Sequence, residues 1–169
     1  MYDGCSVGNA LCGNPELTAN LKNGRAVKER TLAILKPDCV NRKLTGKVLD
    51  RIIAAGFDIL AMKMVRMDAT QAGEFYAVHR GKGFYSALVE FMSSDRCIPM
   101  VLEKEKAIEE FRKVMGATDP AQAAPGTIRR DFAENKQNNI VHGSDSLETA
   151  RTEIAFFFSE REIITNHHV

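Results

Sequence analysis

The stretch RTLAILK, residues 30–36, decides how the rest of the chain is read. Leu32 to Leu35 are continuously apolar, the pattern of a strand covered on both faces. Pro37 follows and ends the strand, because proline has no N–H to give to a ladder. Lys36 therefore stands at the C-terminal end of a buried strand. A lysine there either snorkels at the sheet edge or meets something anionic.

Outward from that strand, the apolar periods alternate between strand and helix. Leu44, Val48, Ile52 and Ala55 recur at helical spacing, and Gly56 supplies the stop. FDILAMKMVRM, residues 57–67, predicts one second strand. Thr70 to Tyr76 and Phe84 to Met92 read as short helices joined by VHRGKG. CIPMVLEK, residues 97–104, is a third strand, and Ala107, Ile108, Phe111, Val114 and Met115 stripe the helix after it. Residues 117–139 show no apolar period, and a loop of that length inside a domain is usually functional or else a wrong assignment. NIVH, residues 139–142, is a short fourth strand. Leu147, Ala150, Ile154, Phe157 and Phe158 mark a final amphipathic helix. The order predicts an α+β fold, a ferredoxin-like βαββαβ sandwich: one four-stranded antiparallel sheet with helices on one face.

Residues 1–28 differ from the rest, being rich in Gly and Asn without a period, and are expected to be an appended arm before a domain over 29–169. The net charge of +1 argues against bulk binding to nucleic acid or to an anionic membrane surface. Cys5, Cys12, Cys39 and Cys97 are scattered without zinc-like spacing, as expected of free thiols in a cytoplasmic protein. No apolar run reaches the length of a membrane span, and the N-terminus lacks a signal-peptide layout.

The block NNIVHGSDS, residues 138–146, places His142 where a strand ends and a helix is about to begin. Asp145 is expected as the N-cap, with Glu148 completing a capping box. The free N–H groups of such a helix start, helped by Gly143, favour an anion. Glu153 lies eleven residues on, about three turns at ~3.6 residues per turn, at the edge of the apolar stripe. A carboxylate that accepts one ring N–H leaves the other nitrogen free to attack. Alone, this pattern does not separate a catalytic histidine from a surface or core one. Arg112 and Arg129 have the fork geometry that phosphate suits, although solvated arginine is the commoner fate of either. There is no GxxxxGK[ST] loop and no HRD or DFG set, so side chains must hold any phosphate.

Five blocks, ERTLAILKPD, FYAVH, GATDP, PGTIRRDF and NNIVHGSDS, stand in the order and spacing of nucleoside diphosphate kinases, from Glu29 to the region of Glu160. The resemblance implies transfer of a γ-phosphoryl group from a nucleoside triphosphate to a nucleoside diphosphate, by a ping-pong route through phosphohistidine. By matching position, His142 would attack through Nδ1 while Glu153 holds the other nitrogen, oriented by Ser144. Lys36 and Tyr76 would support the γ-phosphate, with Gly143 leaving room for it. Arg112, Thr118 and Arg129 would hold the other phosphates, and Asn139 with Lys36 the sugar 3′-hydroxyl. Phe84 would stack on the base with Leu88 beside it. Mg²⁺ would arrive on the nucleotide, with no direct protein ligand and a water-mediated contact to Asp145 at most. The resemblance also implies a hexamer or tetramer, with the 117–139 loop packing between subunits.

Some positions depart from the usual pattern of that family. Cys39 replaces a glycine beside Lys36, where a small buried thiol or an oxidation-sensitive one are both open readings. Lys82 and Gly83 replace Arg-Pro, and Arg130 replaces a glycine. Lys136 stands where an apolar residue often flanks the base, and its aliphatic stem is expected to substitute. His79 lies near the pocket with no assigned chemistry.

Overall fold

The strand read from residues 30–36 is β1, Lys28–Leu35, at the middle of the sheet in the computed structural model, which describes residues 27–165. The expected arm, apart from Val27 and Lys28, lies outside the described residues, as do Cys5, Cys12, His167 and His168. On one side β1 pairs antiparallel with β4, Arg96–Glu105, with Leu32 opposite Val101. On the other it pairs antiparallel with β5, Val141–Gly143, with Ile34 opposite His142. β2, Asp58–Met62, covers the far side of β4, so the sheet order is β2-β4-β1-β5.

The expected single second strand is broken. β2 stops at Met62, and a two-residue β3, Val65–Arg66, pairs with the start of β4. Pro99 explains the break. In an extended strand the nitrogen and oxygen of one residue face the same side, and the Pro99 carbonyl accepts from Lys63 N at 3.2 Å. Its missing N–H therefore faces the gap between β2 and β3, and a proline is tolerated in an inner strand.

Helices pack on both faces rather than one. α2, Thr45–Ala54, and α5, Ala107–Met115, bury Val48, Ile52, Phe111 and Met115 in one cluster with Ala33 and Leu35. On the opposite face Leu32 and Ile34 join Ala72 of α3, Ala69–Phe75, Met92 of α4, Tyr85–Ser93, and Ile154 of α7, Leu147–Phe157. The continuous apolar run of β1 requires this. Leu32, Ile34 and Leu35 are fully buried, and each contributes roughly 1.5–3 kcal/mol relative to exposure.

Two short helices went unread. α1, Pro37–Asn41, carries the proline at its first position, where the absent N–H would have had no partner anyway. α6, Ile128–Phe132, interrupts the 117–139 stretch and buries Ile128 and Arg129. The start of α7 is also shifted: Ser146 is the N-cap, its Oγ accepting from Thr149 N at 3.1 Å, and Thr149 closes the capping box in place of Glu148. Asp145 is left at the cleft rim, accepting from Thr149 Oγ1 at 2.6 Å. Among the described residues no helix is long and apolar enough to cross a membrane.

Candidate active site

β1 and β5 deliver their functional ends to one cleft. Lys36 follows the last residue of β1 and is 6% exposed, its Nζ donating to Asn139 Oδ1 at 2.6 Å. Burial, with Arg129 nearby, pulls its pKa down to about 8, against a smaller opposing pull from Asp38. The entry to β5 is held in an uncommon shape. Ile140 has φ of 70°, the left-handed region that a β-branched side chain rarely adopts. Two contacts impose it: Asp38 Oδ2 accepts from Ile140 N at 3.0 Å, and Ile140 O accepts from Lys36 N at 2.9 Å. The kink sets Asn139 against Lys36 and aims the next residues into the strand.

His142, in β5, presents Nε2 to the Glu153 carboxylate at 3.0 and 3.1 Å. Ser144 completes the chain. Leu32 N donates to Ser144 Oγ at 3.2 Å, so the hydroxyl proton goes to Glu153 Oε2, 2.6 Å away. A carboxylate facing Nε2 fixes the ring proton there and leaves Nδ1 bare. Edge-on rings confine the imidazole, with Phe75 at 5.5 Å and Tyr76 at 5.9 Å between centroids.

Around His142 opens a cleft of about 1090 Å³, lined among others by Lys36, Tyr76, Arg112, Thr118, Arg129 and Asn139. Arg129 is buried and fixed by two carbonyls, donating to Gly116 O and Val141 O at 3.0 Å each, while its Nε finds no partner. Burial and the neighbouring Arg112 lower its pKa to about 10, which leaves it cationic at neutral pH. The Tyr76 hydroxyl is likewise buried without a partner, and burial, then Glu153, raise its pKa so that it stays a neutral donor. Three cations lining one cleft, with two buried donors that no residue satisfies beside it, suit an anion with several oxygens. At the other end lie Phe84, 52% exposed, and Leu88. His79 sits between the two ends, 5.4 Å from Phe84 and 6.2 Å from Tyr76, with Lys82 Nζ 3.2 Å from its Nδ1.

Every residue that the sequence singled out for the site thus comes to this cleft or to the histidine's support. Gly143 lines it as well, but its missing Cβ would point at the core: an added carbon would lie 2.7 Å from Phe111 Cδ1 and 2.8 Å from Met115 Cε. The glycine is required by the close approach of α5. Gly143→Ala is therefore expected to destabilise the fold by about 1–3 kcal/mol, as overpacked cores do. A urea or thermal unfolding curve superposable on the parent's would contradict this. Cys39 is fully buried, and burial pushes its thiol up to about 12, which favours the bland reading over an oxidation-sensitive one.

Three contributors were missed. Asp38 and Ile140 build the kink, and Phe75 confines the imidazole. All three lie inside the quoted blocks, but beyond that the sequence signalled only an acidic residue in a first helical turn, directly after Pro37.

Comparison with known proteins gives the family. The family model for nucleoside diphosphate kinase matches residues 29–163. A nucleoside diphosphate kinase of Chloroherpeton thalassium is 58% identical over 138 residues, 82% of this chain and 98% of that protein. One from Salinibacter ruber is 57% identical over 138 residues, 82% and 97% of the two chains. Among solved structures, the Aquifex aeolicus nucleoside diphosphate kinase superposes with a TM-score of 0.80 at 48% identity, over 82% of this chain and all (100%) of that one. The Halobacterium salinarum enzyme, solved in complex with CDP, gives 0.79 at 39% identity, over 82% and 93%. The chain belongs to the nucleoside diphosphate kinase family, enzymes that transfer phosphoryl groups between nucleotides.

Proposed function

We propose that the chain moves a γ-phosphoryl group from ATP to a nucleoside diphosphate in two half-reactions, with His142 holding the group between them. The observation that carries this reading is the double contact of Nε2 with Glu153, at 3.0 and 3.1 Å, which leaves Nδ1 as the ring nitrogen available to the cleft. The Nδ1 lone pair attacks the γ-phosphorus as the bond to the β-phosphate oxygen breaks, and ADP leaves with that electron pair. The Nε2 proton stays in place, its positive charge balanced by Glu153. A nucleoside diphosphate then occupies the same cleft, its terminal oxygen attacks the phosphohistidine, and the P–N electron pair returns to Nδ1. Such a transfer is loose in its transition state and relies on placed positive charge.

Lys36 and the unpartnered Tyr76 hydroxyl are assigned to the transferred group, and Arg112, Thr118 and Arg129 to the remaining phosphates. Asn139, already in contact with Lys36, is assigned with it to the sugar 3′-hydroxyl. Phe84 is the base platform with Leu88 beside it, and stacking accounts for tolerance of any base, since each has a π-face. The CDP bound to the Halobacterium salinarum enzyme supports a diphosphate as ligand.

No group of three or more His, Cys, Asp or Glu among the described residues is placed to hold a metal ion. Mg²⁺ would be carried on the nucleotide, with Asp145, which lines the cleft, assigned to a contact through water. Bound there, the ion would supply neutralisation of phosphate charge. The reading extends to maintenance of nucleotide pools in the cytoplasm by a homo-oligomer, hexamer or tetramer, with loop 117–139 at its interface. The absence of a basic surplus, at +1, leaves nucleic acid outside it.

The test is a label-and-chase. With ATP and Mg²⁺ the intact protein should gain one acid-labile phosphate, and GDP should remove it as GTP. Label that GDP cannot remove would mean a different acceptor, and folded protein that takes no label would leave a nucleotide-binding scaffold.

A pH effect follows from Lys36. Its folded pKa of about 8 means that the free enzyme loses this cation as the pH rises through that value. The ratio kcat/KM, which reports the free enzyme, should therefore fall above pH about 8. A bound phosphate retains the proton, so kcat should fall later. Lys36→Met should have low activity and no such limb. A parent kcat/KM flat to pH 9.5 would contradict the assignment.

A further inference from the structure

Two sets of residues line the base end of the cleft, the exposed Phe84 ring with Leu88, and a second wall of residues 136 and 137. The second wall is pinned where it stands. Gln137 Nε2 donates across to Ala87 O at 3.1 Å, and the Lys136 carbonyl accepts from Asn139 Nδ2 at 2.9 Å. Asn139 in turn holds Lys36, so this turn is tied to the phosphate end.

At the tip of that wall the Lys136 side chain is 71% exposed, and its Nζ lies 3.2 Å from Asp119 Oδ2. An ion pair so exposed adds little to folding. Its effect is to station an ammonium at the mouth of the cleft with donors to spare. Both oxygens of Asp119 are engaged, Oδ2 by Lys136 and Oδ1 by Ala121 N at 3.0 Å. Lys82, 5.9 Å from the Phe84 centroid, is a second donor-only group nearby. A base on Phe84 therefore meets two ammonium groups, Lys136 and Lys82, at an edge where the Gln137 side chain is already turned to Ala87. Lysine carries three donors and no acceptor. Guanine offers two adjacent acceptors, O6 and N7, where adenine sets an amino group beside N7.

We infer that Lys136, held by Asp119 and lining the same cleft as Phe84, is a specificity-determining residue that favours nucleoside diphosphates whose base carries guanine's O6/N7 acceptor pair over adenine nucleotides. The assignment rests on Phe84 being the base platform. The family's tolerance of bases remains, and Lys136 superimposes a bias on it.

The experiment compares kcat/KM for GDP, IDP and ADP as acceptors at one fixed donor, with the full-length parent, Lys136→Met and Phe84→Ala. Methionine keeps most of the stem and removes the ammonium. The GDP-to-ADP ratio of the parent should drop about fivefold or more in Lys136→Met, the low end for one bidentate base contact being about fivefold. IDP, which keeps O6 and N7, should follow GDP. A parallel change for all three acceptors, or no change, overturns the assignment while Phe84→Ala still raises KM for every nucleotide. If Phe84→Ala leaves every KM in place, the platform reading fails and the assignment falls with it. A lesser role of Lys136 in folding alone would move the three acceptors together and leave the ratio intact.

Discussion

His142→Ala should lose nucleotide phosphoryl transfer by about 10⁴-fold or more, because removing a nucleophile takes with it the step that all the other groups serve. Among the described residues no second group stands ready to replace it. His79 also lines the cleft, but its Nδ1 faces the Lys82 ammonium at 3.2 Å, and no carboxylate holds its ring as Glu153 holds that of His142. The alanine variant should still fold. Glu153 keeps the Ser144 hydroxyl at 2.6 Å, and the pair is partly open to solvent, with side-chain exposures of 20% and 19% for His142 and Glu153. The expected signature is thus a variant that retains nucleotide binding and an ordinary unfolding curve but takes no phosphate from ATP. Retained transfer in this variant would remove His142 from the mechanism.

Glu153→Gln is expected to be nearly as damaging, although it preserves size and touches no nucleotide. The Ser144 hydroxyl already accepts from Leu32 N, so it must donate to residue 153. In the variant it captures the amide oxygen, which turns the amide NH₂ toward His142 Nε2. That NH₂, at the nearer 3.0 Å position, competes with the amide oxygen at 3.1 Å for Nε2 and favours an accepting Nε2, which draws the ring proton toward Nδ1, the atom required for attack. A wrong-tautomer substitution of this kind in a serine protease triad lowers kcat by about 10⁴, and a loss of about 10²–10⁴ is expected here, in kcat far more than in KM. A second substitution separates this account from simple loss of charge. In Ser144→Ala/Glu153→Gln the amide is free to flip, and part of the activity should return. A double variant no better than Glu153→Gln would sink the tautomer argument and leave Glu153 as a source of negative charge.

Much of this site was legible because its residues sit at element ends that hydrophobic patterning locates. Four apolar residues in a row fixed β1 as an inner strand, and that placed Lys36 at its buried end before any coordinates. The same run implied cover on both faces, which the layout with α2 and α5 on one side and α3, α4 and α7 on the other satisfies. The one-face sandwich read from element order understated it, since α3 and α4 were legible as helices but element order does not say which face of the sheet they cover. Short elements were the main loss. α1 and α6, five residues each, are below any window in which a 3.6-residue period can be seen. The cap of α7 was misplaced by one residue because Asp145 and Ser146 are both good caps, and backbone geometry alone chooses between them. Least legible was the kink at Ile140. Nothing in an isoleucine announces φ of 70°, which exists because Asp38 and Lys36, about a hundred positions earlier, grip its N–H and C=O. The five-block resemblance supplied the roles of Tyr76, Thr118 and Phe84, which patterning alone would have left as core, loop and surface.

The central claim is that Glu153 holds Nε2 so that phosphate can reach only Nδ1. The direct test is to phosphorylate ¹⁵N-histidine-labelled protein with ATP and Mg²⁺ and to record long-range ¹H–¹⁵N and ³¹P spectra of the intact phosphoenzyme. The phosphorus should couple to Nδ1 of His142, with Nε2 still protonated. Phosphate on Nε2, or on any other histidine, would contradict the account.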